Sequence, residues 1–367
     1  MQGRRIHRGT TAGFASFAVA AVALSLAACS SGGSGGSSAG SGASSGTSAL
    51  SGTLNASGST FQLPLQQAAI QQFKSAQPGM TINYGGGGSG KGRTDLASGV
   101  VNFAGSDSPI PAAEVSNFKG KPTVLYFPVL VGPITISYNL PGLSKPLQLD
   151  GKTIAKIFQG QIRKWNDPAI AAGNPGVKLP GTAITIAHRS DSSGTTANFS
   201  QFLVDAAPGV WKLGTSSTIN WPANSRAGNG NSGVAQIVKS TPGAVGYVDY
   251  PDAKGAGLTF ASVKNQAGQY VAPSASAGSA AASQATVKPD LTFSAIWAPG
   301  ASSYPITYQS WDLVYAKQPS AKDAKLVKAY LGYLLGDGQK LLPGLNYAPL
   351  PASLDQQAKA QLSKISS

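Results

Sequence analysis

The chain has 367 residues, 28 Lys and Arg against 14 Asp and Glu, and a formal net charge of +14. Its only cysteine, Cys29, excludes an intramolecular disulfide, so stability must come from a buried core, for which this length is ample. A single glutamate, Glu114, and one histidine beyond the N-terminal segment, His188, exclude a paired-glutamate acid–base device and a metal site of the His/Cys type. The positive charge is compatible with an anionic ligand, lipid or nucleic acid, but the basic residues are scattered and not clustered with aromatics, which argues against nucleic acid.

Residues 1–28 have the pattern of a signal peptide. Three arginines in the first eight residues precede an uncharged apolar run that is too short for a stable membrane span. The run ends in Leu26-Ala27-Ala28-Cys29, which resembles a bacterial lipobox, where the cysteine is diacylated and becomes the first residue of the mature chain. We therefore expect an exported protein, anchored through Cys29 to the outer face of the cell membrane. The Ser/Gly-rich residues 29–51 are predicted to form a disordered tether.

From residue 52 onward, strand and helix patterns alternate, which favours an α/β protein with mostly parallel lobes. The long β-rich stretch 123–139 is interrupted by Gly132-Pro133, and the Ala/Ser-rich residues 262–289 fit either a weak helix or a surface loop. Further strands are predicted at 53–56, 81–84, 101–104, 183–188, 244–250 and 306–316, and helices at 65–73, 93–98, 150–158, 197–204, 228–240, 322–335 and 353–363.

The segment Arg189–Thr196 joins a predicted strand to a predicted helix. The first amides of a helix have no intrahelical acceptor, and the dipole there favours negative charge. Hydroxyls, a glycine at position 194 and an arginine at this point are suited to binding an oxyanion. The alternative is a plain helix cap, since Ser and Thr serve in that role without any ligand.

Two glycine-rich loops resemble nucleotide motifs only weakly. Residues 85–92 lack the final Ser or Thr of a P-loop, because Gly92 stands there, so what remains is a loop with one hydroxyl, Ser89. Residues 228–233 match the dinucleotide fingerprint, but no convincing apolar strand precedes them and no acidic residue follows at the right distance. His188 has no nucleophile elbow near it and is interpreted as a structural residue.

Asp107 is an unusual member of a predicted anion site. A carboxylate repels an anion unless the anion carries a proton that the carboxylate accepts. Such a group favours protonated phosphate and rejects sulfate, which has no proton to give at neutral pH. The alternative is an Asx turn before Pro109.

Taken together, the segments resemble the PstS family, the phosphate-binding proteins of the high-affinity phosphate ABC importer, from about Leu54 to the C-terminus. The matching motifs are Gly58-Ser59-Thr60-Phe61, Gly105-Ser106-Asp107-Ser108-Pro109, Asn139-Leu140-Pro141-Gly142-Leu143, Leu149-Asp150-Gly151-Lys152-Thr153-Ile154, Lys164-Trp165-Asn166-Asp167, Arg189-Ser190-Asp191-Ser192-Ser193-Gly194-Thr195, Gly228-Asn229-Gly230-Asn231-Ser232-Gly233-Val234-Ala235 and Gly243-Ala244-Val245-Gly246-Tyr247.

The resemblance implies a set of phosphate contacts and no catalytic residue, metal or cofactor. By position, the contacts fall on Thr60, Phe61 (through its amide), Ser89, Asp107, Arg189, Ser193, Gly194 and Thr195. Asp107 would accept the proton of phosphate, and Asp191 would be salt-linked to Arg189. The chain departs from the family at Ser89, where the family has paired serines, and across residues 262–288.

The fold that the resemblance implies is the two-lobed type II periplasmic-binding-protein fold, with mixed sheets flanked by helices and two hinge crossovers. Lobe I would comprise residues 52–139 and 309–367, and lobe II the inserted residues 140–308. A closed, phosphate-loaded monomer would deliver its ligand to the membrane subunits of an ABC permease. The alternatives are a receptor for another oxyanion (sulfate, molybdate or a phosphonate), a secreted phosphatase on a related scaffold, and an adhesion or structural lipoprotein with a decayed site.

Overall fold

A computed structural model describes residues 50–367, whose strands form a nine-stranded mixed sheet and a small three-stranded sheet. The predicted signal peptide, Cys29 and nearly all of the predicted tether lie outside the described residues. The strands are β1 Gly52–Gly58, β2 Met80–Gly85, β3 Phe103–Ser106, β4 Val124–Tyr138, β5 Gln148–Leu149, β6 Thr185–Arg189, β7 Ser225–Gly228, β8 Ala244–Asp249, β9 Thr259–Phe260, β10 Ser262–Lys264, β11 Tyr270–Val271 and β12 Thr307–Tyr315. The helices are α1 Leu63–Ala76, α2 Ser89–Ala97, α3 Gly151–Phe158, α4 Pro168–Ala172, α5 Gly194–Ala206, α6 Gly230–Ser240, α7 Tyr250–Gly255, α8 Ala275–Ala282, α9 Ala321–Leu334 and α10 Ala352–Gln361.

The large sheet has two halves that share β4. Its order is β2-β1-β3-β12-β4-β8-β6-β7, with β9 also paired to β4. The outer strands pair in parallel, whereas β12 and β4 run antiparallel to their neighbours at the centre. The predicted α/β class with mixed sheets is confirmed. The expectation of mostly parallel strands is wrong at the centre of the large sheet. There the long strands β4 and β12 run antiparallel to each other and to their other neighbours, β8 and β3.

Strand β4 is continuous, although Gly132-Pro133 was expected to interrupt it. Proline has no amide hydrogen to donate, and here it marks a change of partner along the strand. Up to Pro133 the strand pairs with β12, and from Ile134 it pairs with β8. The Ile134 amide donates to the Ile306 carbonyl at 2.8 Å just before β12 begins. Both connections between the halves of the sheet therefore pass through this point.

Two further sequence expectations need correction. Helix α2 begins at Ser89, inside the glycine-rich loop, and not at Arg93. The strand before the Gly228–Gly233 loop, β7, is short and largely polar, which agrees with the expectation that no apolar strand precedes this loop. Residues 262–289 contain both strands and a helix, namely β10, β11 and α8. Among the described residues, no helix combines the length and the hydrophobicity needed to cross a membrane.

The core of the first half contains a buried carboxyl group. Asp312 on β12 is fully buried, and its oxygens accept hydrogen bonds from Gln66 Nε2 at 3.3 and 3.4 Å. Burial raises the pKa of Asp312 to about 8, against which the bonds from Gln66 and Gln62 act only in part. The folded protein thus retains a proton here that an unfolded aspartate releases near pH 4.

Asp312→Asn is expected to stabilise the protein at pH 9 and to have a smaller effect at pH 5. Between about pH 4 and pH 8 the folded state binds one more proton than the unfolded state, so this group makes stability fall as the pH rises through that window. The neutral amide of asparagine removes this pH dependence, and the free energy of unfolding at pH 9 should rise by an amount on the order of 1–3 kcal/mol. Urea denaturation of wild type and variant at the two pH values measures this change. An equal change at both pH values would contradict the raised pKa of Asp312.

Candidate anion-binding site

The predicted site residues lie just beyond the carboxyl ends of four strands. Thr60 and Phe61 follow β1, and Ser89 is the first residue of α2, after β2. Asp107 follows β3, and Arg189 ends β6. Ser193, Gly194 and Thr195 form the start of α5. Because these strands lie in both halves of one sheet, their ends bring the predicted residues to one place.

The two halves of the sheet come close together at Gly194. A Cβ atom on Gly194 would lie 2.4 Å from Ser89 Oγ and 2.6 Å from Asp107 Oδ2, too close for any side chain. One turn later on α5, Asn198 Nδ2 donates to the Asp107 carbonyl at 2.7 Å. The start of α5 therefore lies directly against the predicted proton acceptor.

Several backbone amides at this place have no acceptor. Among the described residues, the amides of Phe61, Gly194 and Thr195 are among those that donate to no protein atom, although all three residues are buried. The ring of Phe61 stacks on Tyr308 at 4.0 Å, and the Tyr308 hydroxyl lies 3.5 Å from Thr195 Oγ1. Buried amides without partners are rare in proteins, and two of these stand at a helix N-terminus, where an anion is favoured.

Arg189 supplies a buried cation and is held rigidly. Its Nε donates to Asp191 Oδ1 at 2.8 Å, and its Nη2 donates to Asp191 Oδ2, so the pair is bidentate. Its Nη1 donates to Thr195 Oγ1 at 3.2 Å and to Asn231 Oδ1 at 3.0 Å. Burial acts to lower the pKa of Arg189, but the bonds and charge of Asp191 outweigh it and raise the pKa. The guanidinium is therefore always charged, with much of its charge balanced.

Asp107 is surrounded by hydroxyl groups. It is 2% exposed, and Oδ1 accepts hydrogen bonds from Ser59 Oγ and Ser310 Oγ, each at 2.5 Å. Oδ2 accepts a third from Ser89 Oγ at 3.1 Å. Burial raises the pKa of Asp107, while these three hydroxyls and the charge of Arg189 act in the opposite direction. The site thus contains a desolvated carboxyl group with Oδ2 less saturated than Oδ1.

Asn231 was not singled out from the sequence as a site residue. Its Nδ2 donates to Thr60 Oγ1 at 3.2 Å and to Asp249 Oδ2 at 2.5 Å, while its Oδ1 accepts from Arg189. It thereby ties Thr60 to the guanidinium. Its position in the Gly228–Gly233 loop was the available signal, but a match to a nucleotide fingerprint does not identify an asparagine. Ser59 and Ser310 gave no local signal, since isolated serines in strands and turns are common.

The helix-cap interpretation of Ser193 is correct for its hydroxyl. Ser193 Oγ accepts a hydrogen bond from the Thr196 amide at 3.2 Å. Its role as a ligand contact stays a prediction. His188 is structural as expected, because its ring stacks on Trp221 and its Nδ1 donates to the Arg189 carbonyl at 2.9 Å.

A cavity of about 510 Å³ opens next to these residues. Its lining includes Thr60, Gly86 and Lys91 from the first half of the sheet and Gly230 and Asp252 from the second. It therefore lies between the two halves, on the side where Thr60 meets Asn231. Of the predicted contacts, Thr60 alone belongs to the lining of this cavity.

The fold, with the predicted contacts gathered at the strand ends, is typical of an extracytoplasmic substrate-binding protein, and comparison with known proteins supports this class. The model of the PBP superfamily domain matches residues 43–337. Two curated relatives are the phosphate-binding protein PstS 3 of Mycobacterium leprae, 37% identical with 82% of this chain and 84% of the relative covered, and PstS of Pasteurella multocida, 34% identical with 84% and 89% covered. The chain belongs to the PBP superfamily and, within it, to the PstS phosphate-binding proteins.

Solved structures show the same fold. A phosphate-binding protein from Stenotrophomonas maltophilia has a TM-score of 0.68 at 19% identity, with 85% of this chain and 94% of that chain covered. A phosphate ABC transporter substrate-binding protein from Clostridium perfringens, solved with bound phosphate, has a TM-score of 0.60 at 16% identity, with 82% and 100% covered.

Asp191→Ala is expected to destabilise the protein by about 3–5 kcal/mol, because it leaves the buried Arg189 guanidinium without its bidentate partner. Asp337→Ala serves as the control, since Asp337 forms an ion pair with Lys340 at 2.7 Å in which both side chains are more than half exposed. Urea denaturation of both variants measures the difference. Equal stabilities would contradict a structural role for the buried pair.

Proposed function

We propose that this protein binds inorganic phosphate outside the cell and delivers it to a membrane ABC permease. The observation that carries the proposal is one buried carboxylate, Asp107, set among unpaired amides and beside a buried guanidinium. The relatives that cover most of the chain are phosphate-binding proteins by name. A site of this composition needs a ligand that both accepts many hydrogen bonds and donates one.

Phosphate meets both requirements. Its oxygens accept hydrogen bonds from the amides of Phe61, Gly194 and Thr195, while its own hydroxyl donates to Asp107. The side chains of Thr60, Arg189 and Ser193 complete the proposed contacts, together with the backbone amide of Ser89, whose hydroxyl hydrogen goes to Asp107. Because Asp191 balances the charge of Arg189, most of the attraction comes from oriented dipoles. Several charge-assisted bonds of about 1.5–3 kcal/mol each, less desolvation, suffice for micromolar or tighter binding.

We assign residues 52–139 and 309–367 to lobe I and residues 140–308 to lobe II, with the ligand between them. The contacts of Gly194 with Asp107 and of Asn231 with Thr60 join these segments and would form on closure. The two hinge crossovers are proposed near Asn139 and near Tyr308, where β4 ends and β12 begins. Strand β4 already changes its partner between Pro133 and Ile134, a few residues before the first crossover. Ligand binding would then select the closed state.

We further propose that the protein is exported and anchored through an acylated Cys29, with residues 29–51 as its tether. It acts as a monomer, with no cofactor, metal or nucleic acid, and docks on the membrane subunits of the permease when closed. These assignments rest on the signal-peptide pattern and the family.

We also propose that this protein is not an enzyme, because the site offers a proton acceptor but no nucleophile paired with a base. A secreted phosphatase would hydrolyse a chromogenic phosphate ester; turnover lost on substitution of Asp107 or Arg189 would contradict this assignment.

Calorimetry of residues 52–367 with phosphate and sulfate tests the proposal. We expect phosphate to bind with micromolar or tighter affinity, and sulfate far more weakly, because sulfate has no proton for Asp107.

Asp107→Asn is expected to lower the phosphate-to-sulfate affinity ratio by about 10- to 100-fold, since the amide donates to sulfate. Asp205→Asn, an exposed site on the same helix as Gly194, is the control. Comparable binding of the two anions by the wild-type protein would refute the phosphate assignment and favour a general oxyanion receptor.

The pH dependence of binding gives an independent prediction. Burial raises the pKa of Asp107, so this carboxylate takes up a proton at a higher pH than an ordinary aspartate. Below that pKa it no longer accepts the proton of phosphate. The phosphate affinities of wild type and Asp107→Asn should therefore converge as the pH is lowered towards the acid limit of the folded state. A ratio of the two affinities that stays constant down to that limit would show that Asp107 does not act as the acceptor.

A further inference from the structure

The hydroxyl groups around Asp107 are useful to the site only if their hydrogens point at the carboxylate. A serine hydroxyl rotates freely and donates or accepts as its surroundings dictate. Ser89 is fixed by the Asp107 amide, which donates to Ser89 Oγ at 3.0 Å and leaves its hydrogen for Asp107 Oδ2. The two serines on Oδ1, Ser59 and Ser310, need a similar constraint.

Gln62 provides that constraint for both serines. Its backbone amide donates to Ser59 Oγ at 3.2 Å, and its side-chain Nε2 donates to Ser310 Oγ at 2.8 Å. Each hydroxyl oxygen thus accepts a hydrogen bond from Gln62 and directs its own hydrogen to Asp107 Oδ1. Gln62 itself is fully buried and lies just before α1, without touching the predicted ligand contacts of α5.

The orientation of the Gln62 amide is itself set from deeper in the core. Tyr330 donates its hydroxyl hydrogen to Gln66 Oε1 at 2.7 Å, which turns Gln66 Nε2 towards Gln62. Gln66 Nε2 then donates to Gln62 Oε1 at 3.1 Å and to Asp312. With its oxygen so occupied, Gln62 presents Nε2 to Ser310 Oγ and to the Trp311 carbonyl, the latter at 2.9 Å. Every hydrogen bond in this chain points from Tyr330 towards Asp107.

We propose that Gln62 is a positioning residue for anion selectivity, which acts by holding the Ser310 hydroxyl as a donor to Asp107. The proposal rests on the proposed function, since selectivity matters only if Asp107 accepts a proton from the ligand. With Oδ1 saturated by two directed donors, Asp107 keeps Oδ2, which faces the Gly194 backbone, as its acceptor for the ligand. Without Gln62, Ser310 is free to turn its hydrogen to the Ser106 carbonyl, already 3.4 Å from Ser310 Oγ.

Gln62→Met tests the inference, because methionine has a similar volume but no amide. Phosphate and sulfate affinities are measured by calorimetry, with sulfate in competition against phosphate. We expect the phosphate-to-sulfate affinity ratio to fall about tenfold, the worth of one hydrogen bond to a charged group. Gln71→Met, an exposed glutamine on α1, is the matched control and should leave the ratio unchanged. Equal losses for both anions would show a merely structural role and overturn the inference.

A double-mutant cycle shows whether Gln62 acts through Ser310. Ser310→Ala should lower the ratio about as much as Gln62→Met, and the double variant should lower it no further. Additive losses would overturn the proposed route. If Gln62→Met does not fold, Ser310→Ala decides alone: an unchanged ratio overturns the inference and a reduced ratio supports it. Wild-type protein that fails to bind phosphate would instead contradict the proposed function itself.

Discussion

The contact between the Gly194 backbone and Asp107 is the constraint on which the site depends. A Cβ atom at position 194 would collide with Asp107. Because Gly194 has no side chain, the first amides of α5 lie against a carboxyl group from the other half of the sheet. A helix N-terminus and a carboxyl group so close together form a site that neither would form alone. The amides at the start of α5 favour a negatively charged ligand, whereas the carboxylate of Asp107 repels one unless a proton lies between the ligand and the carboxylate. Such a site is most stable when it holds an anion that still carries hydrogen.

The described structure contains three fully buried carboxyl groups in or near this network, and their surroundings separate their roles. Burial raises the pKa of Asp107, Asp249 and Asp312 alike, with the charge of Asp252 adding to the effect at Asp249. Only Asp107 is surrounded by three hydroxyl donors, which stabilise its charged form. Asp312 has long bonds from one glutamine and keeps its proton. The same residue type is therefore a carboxyl group whose charged form is stabilised by hydroxyls in one place and a neutral hydrogen-bonding group in another.

Much of the site was predictable because its parts are local. The segment Arg189–Thr196 contains its strand end, its salt-linked aspartate and its helix start within eight residues. The local pattern offered an anion site and a plain helix cap as alternatives, and the family resemblance supplied the link between Asp191 and Arg189. The long-range parts were not predictable. Ser310 is some 200 residues away from Asp107 in sequence and reaches it only because β12 pairs with β3. The antiparallel centre of the sheet was missed for the same reason, since strand order depends on chain crossings that no local pattern contains.

The directed chain from Tyr330 to Asp107 explains why polar residues occur in a core that could be apolar. A buried hydrogen-bond network costs desolvation and is tolerated only when every member is satisfied, as Gln62 and Gln66 are here. An apolar core behind Ser310 would pack as well, but it would leave the hydroxyl hydrogen free to choose between Asp107 and the Ser106 carbonyl. Discrimination between two tetrahedral anions of which only one carries a proton depends on where single hydrogens point. Fixing the hydrogens of the site therefore requires polar groups in the layer of core behind it.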